Sequence, residues 1–135
     1  VKTELEGLET DYFAFADLDP VFDFYTPVII ANNAFLAEEP ETARAFLDAV
    51  SRGYEFAIEH PREAGEILCK AAPELDPDLV KASQEYLADK YQADAPQWGY
   101  IDQERWDAYY AWLNEKGLTE TPIEAGTGCS NEYLP

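Results

Sequence analysis

The sequence predicts an α/β fold rich in helix, and three observations carry that expectation. Two short runs have the composition of strands, three helices announce themselves with proline at their first position, and a further helix carries a wide aromatic face. The expected architecture is two short strands plus about four to five helices.

The strands are expected first along the chain. Asp11-Tyr12-Phe13-Ala14-Phe15-Ala16 and Pro27-Val28-Ile29-Ile30-Ala31 are short, aromatic or β-branched, and bounded by Asp, Pro and Asn, residue types that respectively favour and interrupt extended chain. The second run has no polar alternation, the pattern of a strand covered on both faces by helices.

From Asn33 onward the periodicity becomes helical, with starts at Pro40, Pro61 and Pro77; proline suits the first helical position because its missing N–H has no intrahelical partner there. The first helix aligns Phe46, Leu47, Val50, Tyr54 and Ala57 and is expected to end near Glu59. The second aligns Ala64, Ile67, Leu68 and Ala71 before Pro73 stops it. The third aligns Leu79, Val80, Ser83 and Leu87 behind Asp76 as N-cap. A fourth starts at Asp102, brings Trp106, Tyr109, Tyr110 and Leu113 together, and ends with Gly117 in the C′ place. Residues 92–99 and 119–135 read as irregular surface coverings. The proline starts are unevenly spaced and their surroundings do not repeat, which argues against a solenoid array.

Composition narrows the function. The 28 acidic and 9 basic residues give a formal net charge of -19, a field that repels nucleic-acid backbones and anionic lipid. Such acidity reads as solubility in a salty or extracellular setting. With 47% hydrophobic and 14% aromatic residues in 135, the chain has the means to fold around one core. The two cysteines, Cys69 and Cys129, lack the spacing of a zinc site; Cys69 is either an inert buried thiol or a disulfide partner of Cys129. No apolar run approaches the ~18 residues of a membrane span, and no basic-then-apolar signal opens the chain. It begins in helix-like residues, Val1-Lys2-Thr3-Glu4-Leu5, and contains no methionine, so a fragment or a processed product is expected.

Catalysis needs a base, a nucleophile or a metal cluster gathered in one cleft. The single histidine, His60, precedes Pro61 at a helix start, where an exposed or capping role is expected. The most suggestive stretch is Ala16-Asp17-Leu18-Asp19-Pro20-Val21-Phe22-Asp23-Phe24-Tyr25. Its carboxylates either form turns before proline or line a cleft with Phe and Tyr, as a flat ligand requires. The aromatic stripe of Trp106, Tyr109, Tyr110 and Trp112 has helical spacing and reads as packing, not as a stacking platform.

Several of these stretches resemble a known family. Asp23-Phe24-Tyr25-Thr26-Pro27-Val28-Ile29-Ile30-Ala31-Asn32-Asn33, Ala43-Arg44-Ala45-Phe46-Leu47 and Gly53-Tyr54-Glu55-Phe56-Ala57-Ile58-Glu59-His60-Pro61 look like the C-terminal part of thiamine-pyrimidine precursor-binding proteins. Ala71-Ala72-Pro73-Glu74-Leu75, Ala82-Ser83-Gln84-Glu85-Tyr86-Leu87, Trp98-Gly99 and the closing Asn131-Glu132-Tyr133-Leu134-Pro135 extend the likeness over almost the whole chain. Aromatic-sulfonate and riboflavin receptors share the helical layout, whereas the closing run is more particular to the pyrimidine branch.

The resemblance implies the C-terminal part of a type II periplasmic-binding-protein fold, whose two lobes close on a ligand by hinge motion. Residues 1–22 would end the second lobe and form a hinge crossing, and residues 23–135 would complete the first lobe. It further implies a solute-binding component of an ABC importer, taking hydroxymethylpyrimidine or formylaminopyrimidine and delivering it to a membrane permease outside the cytoplasm. Asp19, Asp23 and Tyr25 are the expected ligand contacts, with Tyr25 stacking and a carboxylate accepting amino-group hydrogen bonds. No catalytic residue, metal or cofactor is expected. The missing N-terminal half, or a second copy at the exposed cleft surface, is the expected protein partner. The alternatives are a receptor for riboflavin or an alkyl sulfonate, a helical protein-interaction module, and a pyrimidine-synthesising enzyme of the same fold. That enzyme branch uses a histidine and a cysteine-rich motif, neither of which is matched here.

Overall fold

The computed structural model describes residues 1–135, and every regular element in it is helical. In chain order these are α1 (Lys2–Leu5), α2 (Phe15–Leu18), a 3-10 turn (Pro20–Phe22), α3 (Asn33–Glu38), α4 (Pro40–Glu59), α5 (Pro61–Ala71), α6 (Pro77–Leu87) and α7 (Gln103–Glu115). The helix-rich half of the expectation therefore holds.

The two expected strands do not form. Phe15–Leu18 closes into a helical turn, with the Asp19 N–H donating to the Phe15 carbonyl at 3.1 Å. No backbone group of residues 27–31 bonds to another backbone group. The physical reason is that a strand is stabilised by a ladder to its neighbour, and neither run finds extended chain alongside. β-branched composition alone supplies no hydrogen bonds.

The helix boundaries follow local chemistry. Asp76 Oδ1 accepts from the Asp78 and Leu79 N–H groups at 2.9 and 3.2 Å, and Asp102 Oδ1 accepts from the Arg105 N–H at 2.8 Å; each satisfies donors that a helix start leaves free. Asn32 does the same for α3 through the Ala34 N–H at 2.8 Å. At the end of α7, Gly117 takes φ +66°. The Leu118 N–H reaches the Leu113 carbonyl at 2.9 Å and the Gly117 N–H reaches that of Asn114 at 3.1 Å, the paired bonds of a Schellman stop.

The chain divides into two compact units. The first comprises residues 1–11, 45–99 and Pro135. In it α5 packs on α6 at the buried Gly65, where a Cβ would stand 3.6 Å from both Lys81 Cα and Val80 Cγ1. The face expected of α5 is only partly the packed one: Ile67 and Leu68 are exposed, because the close approach runs through Ala64, Gly65 and Cys69 instead. Along α4, Leu47, Val50, Tyr54 and Ala57 are half-buried as expected, while Phe46 is exposed. Tyr54 stacks on Trp98 at 4.3 Å and meets Tyr91 edge-on at 5.1 Å. The Tyr91 hydroxyl in turn donates to Gln84 Oε1 at 3.0 Å.

The second unit comprises residues 12–44 and 100–134 and is organised around α7. Few side chains are fully enclosed in either unit; Ala43, Ser51 and Gly65 are the buried residues. Both cysteines are free thiols and only partly covered, so the disulfide alternative for Cys69 is not adopted. No helix is long and apolar enough to cross a membrane.

Candidate functional site

The segment from Phe22 to Tyr25 runs antiparallel along one face of α7. Phe22 meets Trp112 edge-on at 5.2 Å, Phe24 stacks on Tyr109 at 4.3 Å, and the Tyr25 ring lies under the Arg105 guanidinium at 4.4 Å. The receiving residues, Arg105, Tyr109 and Trp112, stand at i, i+4 and i+7, one stripe of the helix. The aromatic stripe read from the sequence is thus packing material.

Arg105 organises the end of this segment nearest the start of α7. Its Nε donates to the Asp23 carbonyl at 2.6 Å and its Nη2 donates to Asp23 Oδ1. The Tyr25 hydroxyl oxygen accepts the Asp102 N–H at 2.9 Å. Asp23 and Tyr25 are therefore brought together with Asp102 and Arg105. Asp19 stands outside the cluster and accepts the Val21 N–H at 3.0 Å, the turn-forming role of Asp before Pro. Asp17 is exposed on α2.

Each of the two clustered residues keeps an open valence. Tyr25 uses a lone pair toward Asp102, which leaves its O–H proton free to donate, and Arg105 covers one face of its ring. Asp23 commits Oδ1 to Arg105 and leaves Oδ2 without a protein partner. With side chains 36% and 57% exposed, the Arg105–Asp23 ion pair by itself is worth only about 0–1 kcal/mol. Its effect is geometric, because one planar fork holds a carbonyl and a carboxylate together.

Sequence reasoning missed Arg105. A signal was present: a basic residue in the first turn of a helix opposes the macrodipole, and such a residue calls for a partner elsewhere. Beyond α7, the tail forms a second layer. Trp106 Nε1 donates to the Thr127 carbonyl at 3.0 Å, and its ring lies against Gly128, whose φ is +85°. Asp107 accepts the Gly126 N–H at 3.0 Å, and Asn114 holds both backbone groups of Ile123 at 2.7 and 3.0 Å. In the closing run, Asn131 accepts the Ile101 N–H at 3.0 Å and donates to the Ile101 carbonyl at 2.8 Å. Tyr133 lies beneath the Arg44 guanidinium at 5.6 Å.

The remaining chemistry-bearing residues lie elsewhere. His60 is exposed at the start of α5, where its side chain makes no cap, and its ring leans on Phe56 at 5.1 Å. An open hollow in the first unit is lined by Arg62, Glu66, Asp78, Lys81 and Glu85 among others. Arg62 is already hydrogen-bonded to Glu85 there, which raises the guanidinium above its usual range. The Cys129 thiol is pushed up chiefly by burial, partly offset by its hydrogen bond to Gln103 Oε1 at 3.5 Å. No three His, Cys, Asp or Glu side chains converge as a metal site would require.

Residues 1–64 match the NMT1/THI5 like family. Across 124 residues the chain is 30% identical to the formylaminopyrimidine-binding protein of Halalkalibacterium halodurans, covering 89% of this chain and 37% of that protein. It is 25% identical over its whole length to the riboflavin-binding protein RibY of Chloroflexus aurantiacus, covering 39% of that relative. Over 82% of the chain it is 38% identical to the 4-amino-5-hydroxymethyl-2-methylpyrimidine phosphate synthase of Candida albicans, covering 31% of it. The chain thus spans well under half the length of the relatives it matches. The resemblance read from residues 23–33 and 53–61 falls within that family match, and the likeness to the formylaminopyrimidine-binding protein agrees with it.

Proposed function

We propose that this chain is the C-terminal portion of a solute-binding protein that captures a thiamine pyrimidine precursor and hands it to an ABC permease outside the cytoplasm. The observation that carries this reading is the alignment of 89% of the chain with a formylaminopyrimidine-binding protein. The riboflavin-binding relative supports the coarser reading, capture of a flat heteroaromatic solute. In this proposal residues 1–22 end one lobe and cross to the other, which residues 23–135 complete. Asp19, Asp23 and Tyr25 face the ligand at the crossing. Tyr25 offers its open ring face, and Asp23 offers Oδ2 to an exocyclic amine.

The same proposal gives the exposed apolar chain of the second unit an occupant. Tyr12 and Ile30 are each 87% exposed, and Phe13, Phe15 and Leu18 are nearly as bare. The relatives are more than twice as long as the stretch matched here, and we assign the cover to the N-terminal portion of the receptor.

The test is calorimetric titration of the whole proposed receptor with formylaminopyrimidine and hydroxymethylpyrimidine, with riboflavin and an alkyl sulfonate as controls. Saturable binding to a pyrimidine alone is expected, and Tyr25→Ala should weaken it several-fold or more. Binding to a control in place of the pyrimidines would discard the thiamine assignment. A second reading, a pyrimidine-synthesising enzyme, is favoured by the synthase relative; pyrimidine formation from a pyridoxal-type substrate would establish it.

A further inference from the structure

We propose that Arg105 is a positioning residue for this site: it latches Asp23 and Tyr25 to the start of α7 and fixes which of their atoms stay open to a ligand. The proposal rests on the reading of the crossing as the ligand site, but its core is a property of the unliganded chain.

Three contacts converge on one guanidinium. Its Nε holds the Asp23 carbonyl, its Nη2 holds the Asp23 carboxylate, and its plane covers Tyr25 at 4.4 Å. A lysine in its place could keep the charge but not the fork. The residue also stands where a helix disfavours positive charge, so its own helix gives no reason for a cation there. The contacts across the crossing do.

The latch has a chemical consequence. With its lone pair given to the Asp102 N–H, the Tyr25 hydroxyl is left as a donor, and with Oδ1 given to Arg105, Asp23 is left as an acceptor through Oδ2. One donor, one acceptor and one ring face suit a planar heteroaromatic that has an unprotonated ring nitrogen and an exocyclic amine. Freed of Arg105, Tyr25 could rotate and Asp23 would no longer be aimed. The chain would lose the ordering of the site without losing the groups themselves.

The experiment compares wild type with Arg105→Ala and Arg105→Lys. In the chain without ligand, nuclear magnetic resonance should show Arg105 side-chain protons shifted upfield by the Tyr25 ring. Amide exchange at Asp102 should be slowed by its bond to Tyr25. Arg105→Ala should accelerate that exchange roughly tenfold, the equivalent of one lost charge-assisted contact, while the Ile123 amide, held by Asn114 in the same unit, reports that the fold persists. Arg105→Lys should restore part of the Tyr25 ring shift and little of the Asp23 contact. If Arg105→Ala unfolds the chain, the lysine variant carries the test through the Asp102 amide and the lysine side-chain protons over Tyr25. Unchanged Asp102 exchange in a folded variant overturns the latch.

In the whole proposed receptor, affinity for formylaminopyrimidine should fall at least several-fold in Arg105→Ala and recover in part in Arg105→Lys. Pyrimidine binding that ignores both variants overturns the positioning role while leaving the receptor reading intact. A wild type that binds no pyrimidine removes the receptor reading, and the latch then stands or falls on the exchange data alone.

Discussion

Replacing Asn131 by alanine tests whether the closing Asn-Glu-Tyr-Leu-Pro run is a structural clasp. Asn131 makes two bonds to one residue, accepting the Ile101 N–H at 3.0 Å and donating to the Ile101 carbonyl at 2.8 Å, and all of these groups are partly buried. Each such bond contributes about 0.5–1.5 kcal/mol net. Water can reach the site once the side chain is gone, so the loss should be about 1–2 kcal/mol in total. With a urea m-value of about 1–3 kcal/mol/M for a small domain, the midpoint should drop by roughly 0.5–1 M. Asn131→Asp keeps the acceptor for the Ile101 N–H but sets a carboxylate oxygen against the Ile101 carbonyl, so it should lose at least as much as alanine. Chemical denaturation followed by tryptophan fluorescence reads both, since Trp106 contacts the tail at Thr127. A midpoint unchanged in Asn131→Ala would refute the clasp.

Three further outcomes follow from the packing and the caps. Gly65→Ala should stabilise the chain by about 0.5–1 kcal/mol in the same assay, because its Cβ meets Lys81 and Val80 at ordinary contact distance and alanine is the better helix former. Gly65→Val should instead cost about 1–3 kcal/mol as its extra methyls push α5 from α6. Asp76→Ala strips the cap from two donors of α6 and should cost about 1 kcal/mol, with increased amide exchange confined to Asp78 and Leu79. The Cys129 thiol, raised by burial, is favoured in its neutral form on folding. That contribution is fully present below the ordinary thiol range and is lost as pH rises through the raised value. Stability should therefore decline on the alkaline side in wild type and decline less in Cys129→Ser, as followed by denaturation at stepped pH.

Helix starts were legible because their determinants are local. Proline at Pro40, Pro61 and Pro77, aspartate at Asp76 and Asp102, and glycine at Gly117 act within one turn of where they stand. Pairing is not local, which is why the strand-like runs at 11–16 and 27–31 were misread: their composition favours extended chain, but a ladder needs a neighbour. For α5 the apolar periodicity was read correctly and the packed face was not, since a glycine that admits a second helix carries no hydrophobic signal. In the candidate cluster, Asp23 and Tyr25 could be named from their aromatic and acidic setting, whereas Asp19, named with them, caps a turn outside it. Arg105 offered only a weak signal, a cation in the first turn of its helix, and its partner 82 positions away is given by the fold alone.

The exposed side chains connect these points. Fully burying one large apolar side chain is worth about 1.5–3 kcal/mol, so Tyr12, Phe13, Phe15, Leu18 and Ile30 together represent on the order of 10 kcal/mol, as much as the whole stability of a typical domain. Four of these five residues lie on the chain that leads directly into residues 22–25, and Ile30 lies just beyond them. Residues 22–25 are thus held on one side by Arg105 and α7, while the apolar segment before them stays uncovered. Under the proposed receptor reading, whatever covers that segment also constrains the chain leading to Asp23 and Tyr25, which couples the assembly of the protein to the aim of those residues at their ligand.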